Sequence, residues 1–125
     1  MNNPPDQPDS QKQPLIGVVG VCASGKSTLI KGMEARGFRM RHIAQEHSYV
    51  KDMWKRITNP DVLIFLDATY PLTVKRRQLD WTEADWTEQQ RRLAYAREHA
   101  DLYINTDDLS IEQVLEMVIA FIWKL

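Results

Sequence analysis

The stretch Leu15–Thr28, LIGVVGVCASGKST, decides the fold of this 125-residue chain. Its first five residues are almost wholly apolar, as in a strand that is covered on both faces in a parallel sheet. Gly20 and Gly25 then bracket a short loop, called here the glycine loop (residues 20–25), and an amphipathic helical pattern begins at Lys26. The stretch therefore predicts a strand, a tight loop and a helix in immediate succession.

The glycine loop has a spacing that is typical of phosphate binding. Gly20, Gly25, Lys26 and Ser27 complete the pattern G-x-x-x-x-G-K-[ST]. Glycines let the backbone curl so that successive N–H groups converge, and the positive end of the helix dipole points to the same place. We expect Lys26 to reach the β- and γ-phosphates of a nucleoside triphosphate such as ATP, and the Ser27 hydroxyl to ligate Mg²⁺. The alternative is a turn that binds nothing.

The loop pattern predicts a continuous set of nucleotide-contacting residues. These are Gly20, Val21, Cys22, Ala23, Ser24, Gly25, Lys26, Ser27 and Thr28. Within this set Cys22 has two interpretations. A thiol inside a ring of backbone N–H groups is a candidate for oxidation, and the alternative is that this loop position only requires a small residue.

Composition limits the class of protein. A length of 125 residues and a hydrophobic content of 43% fit one domain with a modest core. The net charge of −1 argues against general binding to nucleic acid or to anionic membranes. The single cysteine excludes an internal disulfide and is typical of a reducing compartment. Since the sequence contains no bilayer-length apolar run and no signal-peptide pattern, we expect a cytoplasmic protein.

The first half of the chain alternates between predicted strands and helices. Residues 1–14 are polar and rich in proline, which predicts a disordered tail before a domain over residues 15–125. A helix is expected over Lys26–Arg36, with Gly37 as its C-terminal cap. Residues 38–44 alternate apolar and basic side chains, which indicates a second strand at an exposed or edge position.

The middle of the chain continues this alternation. Val50, Met53, Trp54 and Ile57 have the spacing of an amphipathic helix, which Asn59-Pro60 should stop. The run VLIFL, residues 62–66, is the most apolar in the chain and predicts a central parallel strand that ends at Asp67.

Four further elements are expected in the second half. Pro71 opens a helix, and a capping box formed by Thr87 and Gln90 opens another that runs to about residue 100. A short strand over residues 102–105 and a last helix, capped by Ser110 and Gln113, complete the chain. Strands that alternate with helices predict a parallel sheet with crossover helices.

With this order of elements, the chain resembles a shortened member of the P-loop kinase group that includes nucleoside monophosphate kinases and dephospho-coenzyme A kinase. Beyond the glycine loop, the resemblance lies in DVLIFLDATYP (residues 61–71), KRR (75–77), TEADWTEQQRR (82–92) and ADLYINTDDLSIEQV (100–114). It implies a three-layer α/β fold with about four parallel strands in the order 2-1-3-4. The implied activity is phosphoryl transfer from Mg-ATP to a small acceptor.

The chain also departs from that group. Those kinases usually have an inserted acceptor domain and a further strand where this chain has only residues 45–60. The acceptor site is therefore reduced or absent, and the alternatives are a plain nucleoside triphosphatase or a nucleotide-dependent binding module without catalysis. A homodimer that completes the acceptor wall is a further possibility.

Two carboxylates, Asp67 and Glu46, are candidates for holding Mg²⁺ directly or through its bound water. Asp67 follows a buried strand, like the carboxylate that holds Mg²⁺ in P-loop proteins, but an Asp at such a strand end also commonly caps the next element. Glu46 emerges beside the γ-phosphate position if the second strand lies next to the first, where it is a candidate general base or metal-water ligand. His47 is a candidate for orienting an acceptor or water.

The resemblance also implies an arginine and a base-binding loop. Arg77 is the preferred candidate for stabilising the transferred phosphoryl group, with Arg76, Arg91 and Arg92 as alternatives. Thr106 and Asp107 fall in the loop that borders adenine in these kinases. Trp81 and Trp86 are expected to pack against the core or to stack on a base.

Overall fold

Four parallel strands form one sheet in the computed structural model, which describes residues 13–77 and 80–125. The strands are β1 (Leu15–Gly20), β2 (Arg39–His42), β3 (Val62–Asp67) and β4 (Leu102–Asn105). Their order is β2-β1-β3-β4, as predicted. In the register of the sheet, Val18 pairs with His42 on one side and with Ile64 on the other, so the carboxyl ends of the first three strands meet at one edge.

In the described part of the chain, four α-helices connect and follow the strands. They are α1 (Lys26–Glu34), α2 (Tyr70–Arg77), α3 (Glu83–His99) and α4 (Ile111–Trp123). Helix α1 ends two residues before the predicted boundary, and Gly37 follows it in the left-handed region with φ 90°. The Gly37 N–H donates to Glu34 O at 3.0 Å, which closes the helix end.

The sheet is covered on both faces because alternate strand residues point to opposite sides. One buried cluster packs β-strand side chains, among them Val18, Ile64 and Leu66, against residues of α1 and α4. The other packs Val19 and Phe65 against residues of α3. The architecture is therefore α/β with helices on both faces of an all-parallel sheet.

The predicted helix over residues 50–57 is formed only in its second half. Residues 49–52 are bends and turns, and a π-helical segment, Trp54–Thr58, takes the place of the expected α-helix. The fully buried Gln45 determines this path, since its Nε2 donates to Val50 O at 2.8 Å and its Oε1 accepts from Trp54 N at 2.9 Å. Asn59 ends the segment in the left-handed region, so the predicted stop is confirmed.

The predicted start of the long third helix is also wrong. Helix α3 begins five residues earlier, at a capping box formed by Thr82 and Asp85. The Thr82 hydroxyl accepts from Asp85 N at 3.1 Å, and the Asp85 carboxylate accepts from Thr82 N at 3.0 Å. The capping box of Ser110 and Gln113 at the start of α4 is confirmed.

Strand β2 is shorter than the predicted 38–44 and, in the described part of the chain, pairs only with β1, so its edge position is confirmed.

Residues 1–12 of the predicted disordered segment 1–14 fall outside the described residues.

Among the residues that the structure describes, no helix combines the length and the apolar character that crossing a bilayer requires.

Candidate functional site

The glycine loop follows β1 directly and turns sharply into α1. At Gly20 a Cβ atom would collide with the backbone oxygen of Leu66, so only glycine fits against the neighbouring strand. Gly25 has φ 103° and Ala23 has φ 66°, which places two loop residues in the left-handed region. The Ser24 N–H closes the loop by donating to Val21 O at 3.1 Å.

The start of α1 differs from the starts of the two long helices that follow. Thr82 and Ser110 cap α3 and α4, but within residues 13–77 and 80–125 no side chain caps α1 at Gly25. The first-turn amides of a helix need partners from outside it, and the helix dipole favours an anion there. Ser27 and Thr28, both exposed, lie in this first turn.

Lys26 is held inside the mouth of the glycine loop. Its side chain is 6% exposed, and Nζ donates to Gly20 O at 2.7 Å and to Val21 O at 3.2 Å. A third contact, at 3.1 Å, is the ion pair with Glu46 Oε2. The loop carbonyls and Glu46 together compensate a buried ammonium group that would otherwise be costly to desolvate.

Glu46 reaches Lys26 because β2 lies directly beside β1. It sits in a short 3₁₀-helix, Gln45–His47, that follows β2, and its side chain is 4% exposed. Its second oxygen, Oε1, is buried and has no hydrogen-bond partner among the described residues. Nearby, Nε2 of the exposed His47 lies 3.7 Å from Glu46 Oε2. The structure thus brings Lys26, Glu46 and His47 together at one edge of the sheet.

Asp67 is occupied by a different set of contacts. Its Oδ1 accepts from Ala68 N at 2.9 Å and from Gln90 Nε2 at 2.8 Å. Its Oδ2 accepts from the Tyr103 hydroxyl at 2.7 Å, and Arg97 Nη1 lies 3.6 Å away. Both carboxylate oxygens are therefore engaged in fixing β3 to α3 and β4.

The Asp67 contacts also affect Tyr103. The pKa of the Tyr103 hydroxyl is raised, first by burial and then by the hydrogen bond to Asp67 and the negative charge of that carboxylate. The neutral hydroxyl is therefore stabilised as a donor to Asp67.

Of the two adjacent arginines at the end of α2, Arg76 contacts the glycine loop. Its guanidinium donates to Ala23 O and Thr106 Oγ1, both at 3.0 Å, and to Thr106 O at 2.8 Å. The predicted candidate, Arg77, instead lies over the ring of Trp81, with its Cζ 5.0 Å from the ring centroid. The sequence pattern identified the arginine pair but not the member that faces the loop.

The remaining predicted site residues lie in the loop after β4, in α3 and in the segment just before α3. Thr106 Oγ1 lies 3.0 Å from Ser24 O, and Asp107 Oδ1 accepts from Thr69 N at 3.0 Å. Arg91 and Arg92 both pair with Glu88 on α3. The indole N–H groups of Trp81 and Trp86 bind Thr73 and Ala68, so both rings anchor the connection between α2 and α3.

A pocket of about 280 Å³ opens beside the glycine loop, between α1, α4 and the loop after β4. It combines backbone edges and aliphatic side chains with the Arg76 guanidinium, which is the composition expected of a small-molecule site. Its lining includes Ala23, Gly25, Thr28, Leu29, Arg76, Thr106, Leu109 and Ile111.

Gln89 is a site residue that sequence reasoning missed. From α3, its Oε1 accepts from Cys22 N at 2.9 Å and its Nε2 donates to Cys22 Sγ at 3.1 Å. This pair of bonds fixes the glycine loop at Cys22, the residue before the one that Arg76 contacts. No local pattern links two residues that are 67 positions apart.

The comparisons with known proteins give no family. A scan of the chain against protein-family models finds no match, and neither does a search of curated proteins.

Proposed function

We propose that the chain binds a Mg²⁺–nucleoside triphosphate such as ATP at the glycine loop and transfers its terminal phosphoryl group to a small acceptor. The observation that carries the proposal is the buried Lys26 ammonium, 2.7 Å from Gly20 O, in the first turn of α1, which no side chain of the described residues caps. A fixed cation and free backbone N–H groups at one point are the chemistry that phosphate oxygens require.

The rest of the proposed nucleotide fits the neighbouring pocket. With phosphates on the loop, the base and ribose would enter the cavity of about 280 Å³ that Thr28, Leu109 and Arg76 line. Arg76 bridges the loop and Thr106, so its guanidinium supports a triphosphate better than that of Arg77, which is stacked on Trp81. We therefore assign the arginine role to Arg76.

The residues near the loop also fit a magnesium ion. When bound, Mg²⁺ neutralises phosphate charge and bridges the terminal phosphates. The exposed Ser27 hydroxyl in the first turn of α1 is the proposed direct ligand. Of the two carboxylates, Glu46 has a buried oxygen without a partner in the described part of the chain, whereas both oxygens of Asp67 are engaged. This contrast supports Glu46 as the ligand of metal-bound water or as the base that accepts the acceptor's proton.

A second candidate function is nucleotide hydrolysis or binding without transfer. The segment between β2 and β3 is short and presents exposed apolar side chains, Tyr49, Val50 and Ile57, rather than an enclosed acceptor wall. These side chains are also where a second copy of the chain or another partner would contact the site.

Thermal unfolding with a panel of nucleotides tests binding. A ligand present at 100 times its Kd stabilises a protein by about 2.7 kcal/mol. For a domain of this size that corresponds to a rise in Tm of roughly 10 °C. We expect this rise with Mg²⁺ and a triphosphate and none with the matching nucleoside. Equal shifts for both would contradict a phosphate-binding loop.

Product analysis with a γ-labelled triphosphate separates the candidates. Label transferred to an added small hydroxyl or phosphate acceptor supports the phosphotransferase. Label released only as inorganic phosphate supports hydrolysis, and neither product at a saturated site supports the binding module.

A further inference from the structure

Three residues of different chemistry meet at the rim of the glycine loop. Ligand atoms of Cys22, Glu46 and His47 all lie within 4.8 Å of one another. Cys22 comes from the loop itself, and the other two come from the 3₁₀-helix after β2. A thiol, a carboxylate and an imidazole are the three side-chain types that bind Zn²⁺.

The buried carboxylate of Glu46 has one oxygen that is free to bind a ligand. Glu46 is 3% exposed, and its Oε1 has no partner among the described residues. Its other oxygen is already held by Lys26 at 3.1 Å. A cation bound through Oε1 would satisfy the free oxygen without breaking the ion pair.

We propose that Cys22, Glu46 and His47 form a binding site for a zinc-type divalent cation. Thiolate and imidazole ligands favour Zn²⁺, Co²⁺ and similar ions over Mg²⁺, so Cys22 and His47 distinguish this site from the proposed magnesium site at Ser27, and the two sites share Glu46. Three protein ligands leave a fourth position for water, as in zinc sites that are open to solvent. The thiol proton passes to solvent as Cys22 Sγ binds the metal.

The geometry needs only a small adjustment to close around an ion. Bond lengths of about 2.0 to 2.3 Å put neighbouring tetrahedral ligands roughly 3.5 Å apart. His47 makes this adjustment possible because its side chain is 61% exposed and able to rotate. Cys22 is fixed by Gln89, which donates to Sγ at 3.1 Å and thereby acts as an outer partner that orients the ligand.

Cobalt titration of the nucleotide-free protein tests the site directly. Because the chain has one cysteine, a thiolate-to-Co²⁺ charge-transfer band identifies Cys22 as a ligand. We expect one equivalent of Co²⁺ to produce this band and one equivalent of Zn²⁺ to abolish it. Cys22→Ser should remove the band, and His47→Ala and Glu46→Gln should each weaken Co²⁺ binding tenfold or more. Gln89→Leu should weaken it by about 10 to 100-fold.

A matched control is available in His42→Ala. His42 is also exposed but lies outside the cluster, so this variant should bind Co²⁺ like the wild type. As a second measurement on the unaltered chain, Zn²⁺ should slow alkylation of Cys22. The proposal is overturned if the wild type gives no charge-transfer band, or if Zn²⁺ leaves the alkylation rate unchanged. It is also overturned if His47→Ala and His42→Ala bind Co²⁺ equally well.

Discussion

Lys26 Nζ and Glu46 Oε2 lie 3.1 Å apart, in side chains that are 6% and 4% exposed. The pair joins the first turn of α1 to the segment after β2, two parts of the chain that meet only because β2 lies beside β1. This pair is therefore a structural contact as well as the core of the proposed site.

The coupling between Lys26 and Glu46 is measurable as stability. Lys26→Met leaves the Glu46 carboxylate buried without its partner, and breaking such a pair typically costs about 3 to 5 kcal/mol. Glu46→Gln should cost less, because Lys26 keeps two carbonyl acceptors. We expect the double variant to be more stable than the sum of the two losses implies, by about 0.5 to 3 kcal/mol. Urea denaturation of all four proteins measures this, and strictly additive losses would contradict a direct interaction.

The contact between Tyr103 and Asp67 predicts a pH dependence. The Tyr103 pKa is raised above its ordinary value of 10.0 by burial and by Asp67. The stabilisation is therefore fully present below that ordinary value and is lost as pH rises through the higher, folded-state pKa. The free energy of unfolding should fall in this alkaline range, and Tyr103→Phe should reduce the fall. Denaturation at neutral and alkaline pH tests this, and parallel pH profiles for the two proteins would refute it.

The two neighbouring arginines are expected to behave differently. Arg76→Ala removes three hydrogen bonds to Ala23 and Thr106, so the affinity of the protein for the proposed triphosphate ligand should drop roughly tenfold or more. Arg77→Ala is the matched control and should change affinity by about twofold or less, since Arg77 stacks on Trp81. Calorimetric titration with Mg-ATP compares them. A larger loss of affinity for Arg77→Ala than for Arg76→Ala would instead support Arg77 as the arginine that contacts the phosphates.

The position of the α3 cap is also testable. Thr82→Ala removes the hydroxyl that accepts from Asp85 N and should destabilise the protein by about 1 kcal/mol. Thr87→Ala, at an exposed position inside the helix, should change stability by less than about 0.5 kcal/mol. Thermal or urea unfolding gives both values, and the reverse order would place the cap at Thr87.

The sequence predicted the sheet because its strands have strong local signals. The apolar runs before Gly20 and Asp67 gave the central strands β1 and β3, and the weaker alternation around Met40 gave the edge strand β2. The order β2-β1-β3-β4 followed from the resemblance and is confirmed. Nucleotide binding, which rests on the same loop pattern, remains a prediction.

Errors arose where distant contacts decide between local alternatives. The stretch WTEADWTEQQ, residues 81–90, contains two possible capping boxes. The first, Thr82 with Asp85, is the one that forms, and Gln90 of the second donates to Asp67. The segment after β2 has helical spacing, but the buried Gln45 binds its backbone and changes its path. The contact of Cys22 with Gln89, and the contact of Arg76 with the glycine loop, also depend on tertiary packing that no window of sequence contains.

The measurement that tests the central claim most directly is calorimetric titration of Mg-ATP into the wild type, Lys26→Met and the control Lys31→Met. Lys31 lies on the same helix but is exposed. A hydrogen bond to a charged group contributes about 1.5 to 3 kcal/mol, so we expect Lys26→Met to lose at least tenfold in affinity. Lys31→Met should bind like the wild type. Binding of equal strength by Lys26→Met, or no binding by the wild type, would contradict a triphosphate site at the glycine loop.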